Sequence, residues 1–192
     1  IGSGPDAWGV WHTYHPDQVP WERFLDEVVE AGYFWIESGV YGYLPTDPFK
    51  LRAQLDQRGL NMTATTIHEG RLEDPEDWPR LERAVIRAGE FAAAMNMKHI
   101  VLIGESYVER WTKKQVMPKE LDETGWSRLI ETTHRIAEMT ISRFGVPIAF
   151  HPHVESHVET SEQTEVFLEQ TDAELVSICH DVGHHAYMGG DP

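Results

Sequence analysis

The feature that most constrains this chain is a regular alternation of short apolar runs with longer segments of helical periodicity, repeated about six times with no Ser/Gly-rich linker between repeats. Trp8-Gly9-Val10-Trp11 ends the first strand-like run, and a helix follows over residues 20–31 with Trp21, Phe24, Leu25, Val28 and Val29 on one face. Residues 34–37 form the second strand, ending at Glu37. Asp47-Pro48 opens a helix that Gly59 closes, and residues 60–67 form the third strand, ending at His68-Glu69. The spacing then predicts a helix over 77–95, a strand over 99–103, a helix over 126–144, a strand over 146–150, a short helix near 162–169 and a last strand over 175–179. Gly32, Gly59 and Gly145 stand where helices must stop, because a residue without Cβ enters the left-handed cap at little cost.

A strand that returns through a helix lies parallel to its predecessor, so this alternation predicts an α/β fold with a parallel sheet and helices outside it. Two architectures satisfy that description. A doubly wound sheet collects its site at one switch point, and its nucleotide-binding form carries a Gly-x-Gly-x-x-Gly turn that is missing here. A barrel collects residues from many strand ends, and here Trp8, Glu37, His68, Glu105, His151 and Asp181 all fall at such ends. The expectation is therefore a parallel (β/α)₈ barrel. A complete barrel has eight strands in about 250 residues, so residues 1–192 read as one barrel domain with about six of its βα units, its C-terminal strands missing. Gly189-Gly190-Asp191-Pro192 reads as a loop before a further helix.

Charge narrows the function. Thirty-two acidic against sixteen basic residues give a formal charge of −16, which repels a phosphate backbone, so no nucleic-acid partner is expected. A small neutral substrate and a divalent cation suit an acidic mouth better. No run approaches the length of a membrane span, and no basic segment leads into an apolar signal core. With one cysteine, Cys179, the expected location is the cytoplasm.

The densest chemistry follows the fifth strand. His151, His153, Glu155 and His157 lie within seven positions, and the sixth strand runs into His180-Asp181-Val182-Gly183-His184-His185. Alternate strand residues share a face, so His151 and His153 point one way while Ile148 and Phe150 point to the helices. The same parity aims Cys179 and Asp181 inward and turns His180 outward, into a packing role. Either histidine alone fits a hydrogen-bonded rim residue; both, with Asp181 on the neighbouring strand, select a site. Imidazole and carboxylate suit a borderline divalent ion, so His151 and Asp181 are the expected metal ligands. His153 or Glu155 beside them is the expected general base. Glu37, at the end of an apolar strand, needs a partner if buried. It joins Trp8 and His68 as expected substrate contacts, Trp8 and Trp11 offering an apolar wall. His134 reads as a surface residue, and Glu73-Asp74-Pro75-Glu76-Asp77 as a helix-start loop.

The order of Ala31-Gly32-Tyr33-x-Trp35-Ile36-Glu37, Arg58-Gly59-Leu60, His151-Pro152-His153 and Asp181-Val182-Gly183-His184 resembles the xylose isomerase-like sugar isomerase/epimerase superfamily. That superfamily includes the AP endonuclease 2-like proteins, and the chain is most similar to its inosose dehydratase branch. His-x-His followed by Val158-Glu159-Thr160 is the more branch-specific segment. The resemblance spans essentially the whole chain. It implies a barrel holding one divalent ion (manganese, cobalt or magnesium) and proton transfer beside a carbonyl on a keto-cyclitol or keto-sugar. It further implies Asp181 as the sixth-strand ligand, His184 as a substrate-binding histidine, and His151 where many members carry a glutamate. The remaining family ligands lie on later strands. A ketose 3-epimerase or sugar isomerase and a non-catalytic sugar-binding barrel, with possible homo-oligomer formation, are the other readings.

Overall fold

The computed structural model describes residues 1–191; of the terminal loop read from the sequence, Pro192 lies outside the described residues. Six strands form one parallel sheet in the order β1-β2-β3-β4-β5-β6, each paired with its sequence neighbours. They are β1 (Gly2–Ser3), β2 (Trp35–Glu37), β3 (Asn61–Ile67), β4 (His99–Leu102), β5 (Ile148–Phe150) and β6 (Val176–Ile178). The helices are α1 (Trp21–Glu30), α2 (Pro48–Asp56), α3 (Trp78–Ala94), α4 (Glu123–Phe144), α5 (Ser161–Gln170) and α6 (Val182–Tyr187). A strand order that never reverses has no switch point, so the sheet winds as a barrel does and not as a doubly wound sheet. It is an incomplete parallel barrel. No helix among the described residues is long and apolar enough to cross a membrane.

The core lies between the sheet and the helices. Phe24, Leu25 and Val28 of α1 share one buried core with Ile36 of β2, Leu81, Val85 and Ala92 of α3, and Ile100 and Leu102 of β4. Phe150 stacks on Phe167 of α5 with ring centroids 4.1 Å apart, so the even positions of β5 do face the helices, as parity requires. Each such fully buried aromatic contributes on the order of 2 to 3 kcal/mol. Helices α3 and α4 meet at Gly89, where an added Cβ would fall 2.1 Å from the Phe144 ring. Gly145 ends α4 in the left-handed conformation, φ 69°, and its N–H reaches back to Ile141.

Three expectations need correction. The first strand is Gly2–Ser3, not the run ending at Trp8–Trp11; Pro5–Trp8 is a 3₁₀ turn, which proline at its start favours. Val29 is 40% exposed and lies off the buried stripe of α1. Strand parity does not carry through Asp181: β6 ends at Ile178, and Asp181 instead caps α6, its side chain accepting from the His184 N–H.

Candidate active site

His151 follows β5 directly, and its Nδ1 hydrogen-bonds the Cys179 carbonyl at 2.9 Å. A carbonyl only accepts, so Nδ1 carries the proton and Nε2 keeps its lone pair. His153 repeats the device locally, with Nδ1 donating to the Val154 carbonyl at 2.7 Å. His184 arrives from α6, where Asp181 Oδ1 accepts from its backbone N–H at 2.8 Å. Asp181 Oδ2 then lies 3.8 Å from His184 Nε2. The three rings converge: centroids are 4.1 Å apart for His153 and His184, 5.4 Å for His151 and His184, and 5.6 Å for His151 and His153. One nitrogen from each lies within 4.8 Å of the others.

Burial disfavours the protonated forms of His153 and His184. Burial pushes the His153 imidazole down to about 4, with His184 and His151 adding to the effect. Burial also lowers His184, against the pull of Asp181. Burial alone would raise Asp181. The His184 N–H, the rings of His184 and His151 and the Gly183 N–H together outweigh it and hold the carboxyl below its ordinary value. Three imidazoles with a carboxylate at their rim form a donor set that fits a borderline divalent ion.

Glu37, the last residue of β2, stands apart from this cluster. Burial raises its carboxyl, Asp6 reinforces the shift, and His151 opposes it. Burial also raises the Cys179 thiol, which Glu37 and Asp181 push further.

Other expected site residues are not brought together. Trp8 spends its indole N–H on Glu27 at 2.8 Å and packs edge-on against Phe24, on the side of α1. His68 is exposed, and its nearest charged neighbour is Glu69 at 4.0 Å. Glu105 pairs with Arg80 at 3.0 Å. Glu155 has its carboxylate 3.2 Å from Lys113 and sits at φ 64°, so the chain turns it toward the β4–α4 loop and away from the histidines.

Sequence reasoning missed the residue that organises this loop. Glu159, 4% exposed, accepts from the Tyr107 hydroxyl at 2.9 and 3.1 Å and from the Glu155 N–H at 2.8 Å, and Lys119 Nζ lies 3.3 Å away. His157 donates from Nε2 to the Pro118 carbonyl at 2.9 Å. The loop carrying His151 and His153 is thus fastened to the loop after β4. A signal was present: Thr160 and Gln163 form a capping box at the start of α5, fixing where the loop ends.

The xylose isomerase-like TIM barrel family matches residues 25–192. The inosose dehydratase of Geobacillus kaustophilus is 29% identical over 209 residues, covering 100% of this chain and 63% of that protein. The chain thus spans less than two thirds of that relative's length. Among solved structures, D-psicose 3-epimerase with D-tagatose from Clostridium cellulolyticum H10 aligns with TM-score 0.74 at 16% identity, covering 100% of this chain and 66% of that one. A xylose isomerase-like TIM barrel protein from Mycobacterium smegmatis in complex with magnesium aligns with TM-score 0.72 at 16% identity, covering 96% and 65%. At these identities the structures show the fold alone.

Proposed function

We propose, from the premise that this chain belongs to the xylose isomerase-like TIM barrel family, that the protein carrying it is a divalent-metal-dependent lyase of the inosose dehydratase kind. It acts on a keto-cyclitol or keto-sugar by removing the proton beside the carbonyl. The observation that carries the reading is the convergence of His151, His153 and His184, with Asp181 at their rim, at the carboxyl ends of β5 and β6. The dehydratase relative supports this reaction over its competitors because it is 29% identical along the whole chain, against 16% for the epimerase structure.

In this reading His151, His153 and His184 hold the ion, with Asp181 beside them as the anionic donor. A divalent ion there supplies Lewis-acid polarisation of a carbonyl and a neighbouring hydroxyl. The Cys179 and Val154 carbonyls fix which nitrogen of His151 and His153 faces the interior. His153 passes from the expected base to a ligand, since a ring pushed down to about 4 stays unprotonated but has little affinity for a substrate proton. The negative formal charge of −16 fits a small uncharged substrate. Manganese, cobalt and magnesium are the proposed ions; a magnesium-bound neighbour supports the last.

The second reading, a ketose 3-epimerase, is favoured by the D-psicose 3-epimerase neighbour. Both readings begin with the same proton removal, so one experiment separates them. The metal-loaded full-length protein is incubated in D₂O with keto-inositols and then ketoses. Deuterium entry beside the carbonyl with loss of water is expected; entry without water loss selects the epimerase. No exchange on either set, with metal bound, would leave a sugar-binding barrel. Cytoplasmic location and self-association belong to the same proposal and are checked by fractionation and light scattering.

A further inference from the structure

The connection between β4 and α4 contains a structured tip. Val108 and Gln115 form an antiparallel bridge, the Glu109 N–H donates to the Lys114 carbonyl at 2.8 Å, and the Lys113 N–H donates to the Glu109 carbonyl at 2.9 Å. Residues 108–115 are therefore a short hairpin. Its tip is braced from within, because the Glu109 carboxylate accepts from the Trp111 N–H at 3.1 Å, the Thr112 N–H at 2.6 Å and the Thr112 hydroxyl. Charge-assisted bonds to one carboxylate hold Arg110, Trp111 and Thr112 as a unit.

This tip joins two other loops. Arg110 lies over the Trp11 ring, 4.3 Å from its centroid, and 5.4 Å from that of Trp111. His12 stacks on Trp111 with centroids 5.7 Å apart and planes at 24°. Trp11 and His12 lie between β1 and α1, and β2 and β3 stand between β1 and β4 in the sheet. On its other side the hairpin sets Lys113 Nζ 3.2 Å from the Glu155 carboxylate, in the loop that carries His151 and His153. All three loops follow the carboxyl ends of parallel strands, so the hairpin spans the mouth from the β1 side to the β5 side.

Base and tip are held differently. At the base Tyr107 is buried, its N–H donates to the Glu155 carbonyl at 2.8 Å, and its carbonyl accepts from the Val116 N–H at 2.8 Å. Its hydroxyl donates to the buried Glu159. At the tip Trp111 is 68% exposed and Trp11 46%, and the Lys113–Glu155 pair is open to solvent. Exposed cation–π contacts and ion pairs are individually weak. A braced tip on a fixed base, held down only by weak contacts, can lift without unfolding anything beneath it.

We infer that residues 108–115 are a flap that lifts to admit substrate and closes over it, with Arg110 between Trp11 and Trp111 as the latch. The inference rests on the reading that substrate binds at the mouth beside His151, His153 and His184. Closure shuts bulk water out while the proton is off the substrate carbon, and lifting releases the product.

The test begins without metal or substrate. In the full-length protein, modification by diethyl pyrocarbonate, read by peptide mass spectrometry, reports access to His151, His153 and His184. Arg110→Ala removes both cation–π contacts and should raise those three rates by about tenfold; Trp111→Ala should act in the same direction. His99, exposed at the amino end of β4, should react at an unchanged rate, and the thermal midpoint should hold because the latch is open to solvent. Equal rates in the variants and the unsubstituted protein would overturn the flap, as would a matching rise at His99. The second arm adds a saturating keto-inositol to the metal-loaded protein. Amide hydrogen exchange over residues 9–15 and 108–115 should slow on binding, and Arg110→Ala should remove most of that protection. Binding seen by calorimetry with neither segment protected would overturn closure. If no keto-cyclitol or ketose binds while both variants still unmask the histidines, the flap stands and the dehydratase reading falls.

Discussion

At the residue scale the site depends on histidines that are kept neutral. His153 is the clearest case, moved by burial from an ordinary 6.5 to about 4. A histidine depressed in the folded state binds fewer protons there than in the unfolded chain between those two values. The metal-free protein should therefore be most stable above pH 6.5 and lose stability as pH falls from 6.5 through 4, by up to a few kcal/mol. His184, lowered in the same direction, adds to the slope. Urea midpoints measured across pH 4 to 7 check this, and His153→Gln should flatten the profile. Metal affinity supplies the companion prediction. Asp181→Asn removes the anionic donor but keeps the cap on the His184 N–H, so isothermal titration should show a Kd weaker by roughly 10- to 100-fold with little change in stability.

At the scale of elements, the loop after β5 is positioned by a buried carboxylate together with the core contact of Val158. Glu159 satisfies Tyr107, the Glu155 N–H and Lys119 at once. Glu159→Ala leaves a buried hydroxyl and a backbone N–H without their acceptor. It should cost about 3 kcal/mol and loosen the histidines. Tyr107→Phe removes only the donor and should cost about 1 kcal/mol. A double-mutant cycle by denaturant unfolding measures the coupling. The α3–α4 contact makes a separate prediction. Gly89→Ala sets a methyl against the Phe144 ring, and the forced separation should outweigh any gain in helix propensity, lowering stability by about 1 to 3 kcal/mol.

At the scale of the whole molecule, the six strands wind in one direction, so residues far apart in sequence meet in one interior. An ion held by groups from β5 and from α6 beyond β6 ties those βα units together and should stabilise the folded state by mass action. At a metal concentration 100-fold above Kd, linkage gives about 2.7 kcal/mol. A chelator should reverse that shift in thermal midpoint completely, and a midpoint indifferent to both treatments would speak against the site.

The sequence by itself was sufficient for the repeating pattern, because strand and helix periods and helix-stopping glycines are local properties. Phe150 facing α5 and His151 facing the interior followed from strand parity alone. The first strand was misplaced because an aromatic run such as Trp8–Trp11 reads alike whether it pairs or turns, and the proline at position 5 decides for the turn only once β1 has paired with β2. Tertiary structure alone decided which neighbours in sequence are neighbours in space. Glu155, two residues from His153, leaves with Lys113, while the ring of His184, 31 positions away by number, lies 4.1 Å from that of His153. The left-handed turn at Glu155, the Asp181 cap and the buried Glu159 acceptor set those directions, and each depends on partners that spacing along the chain does not encode.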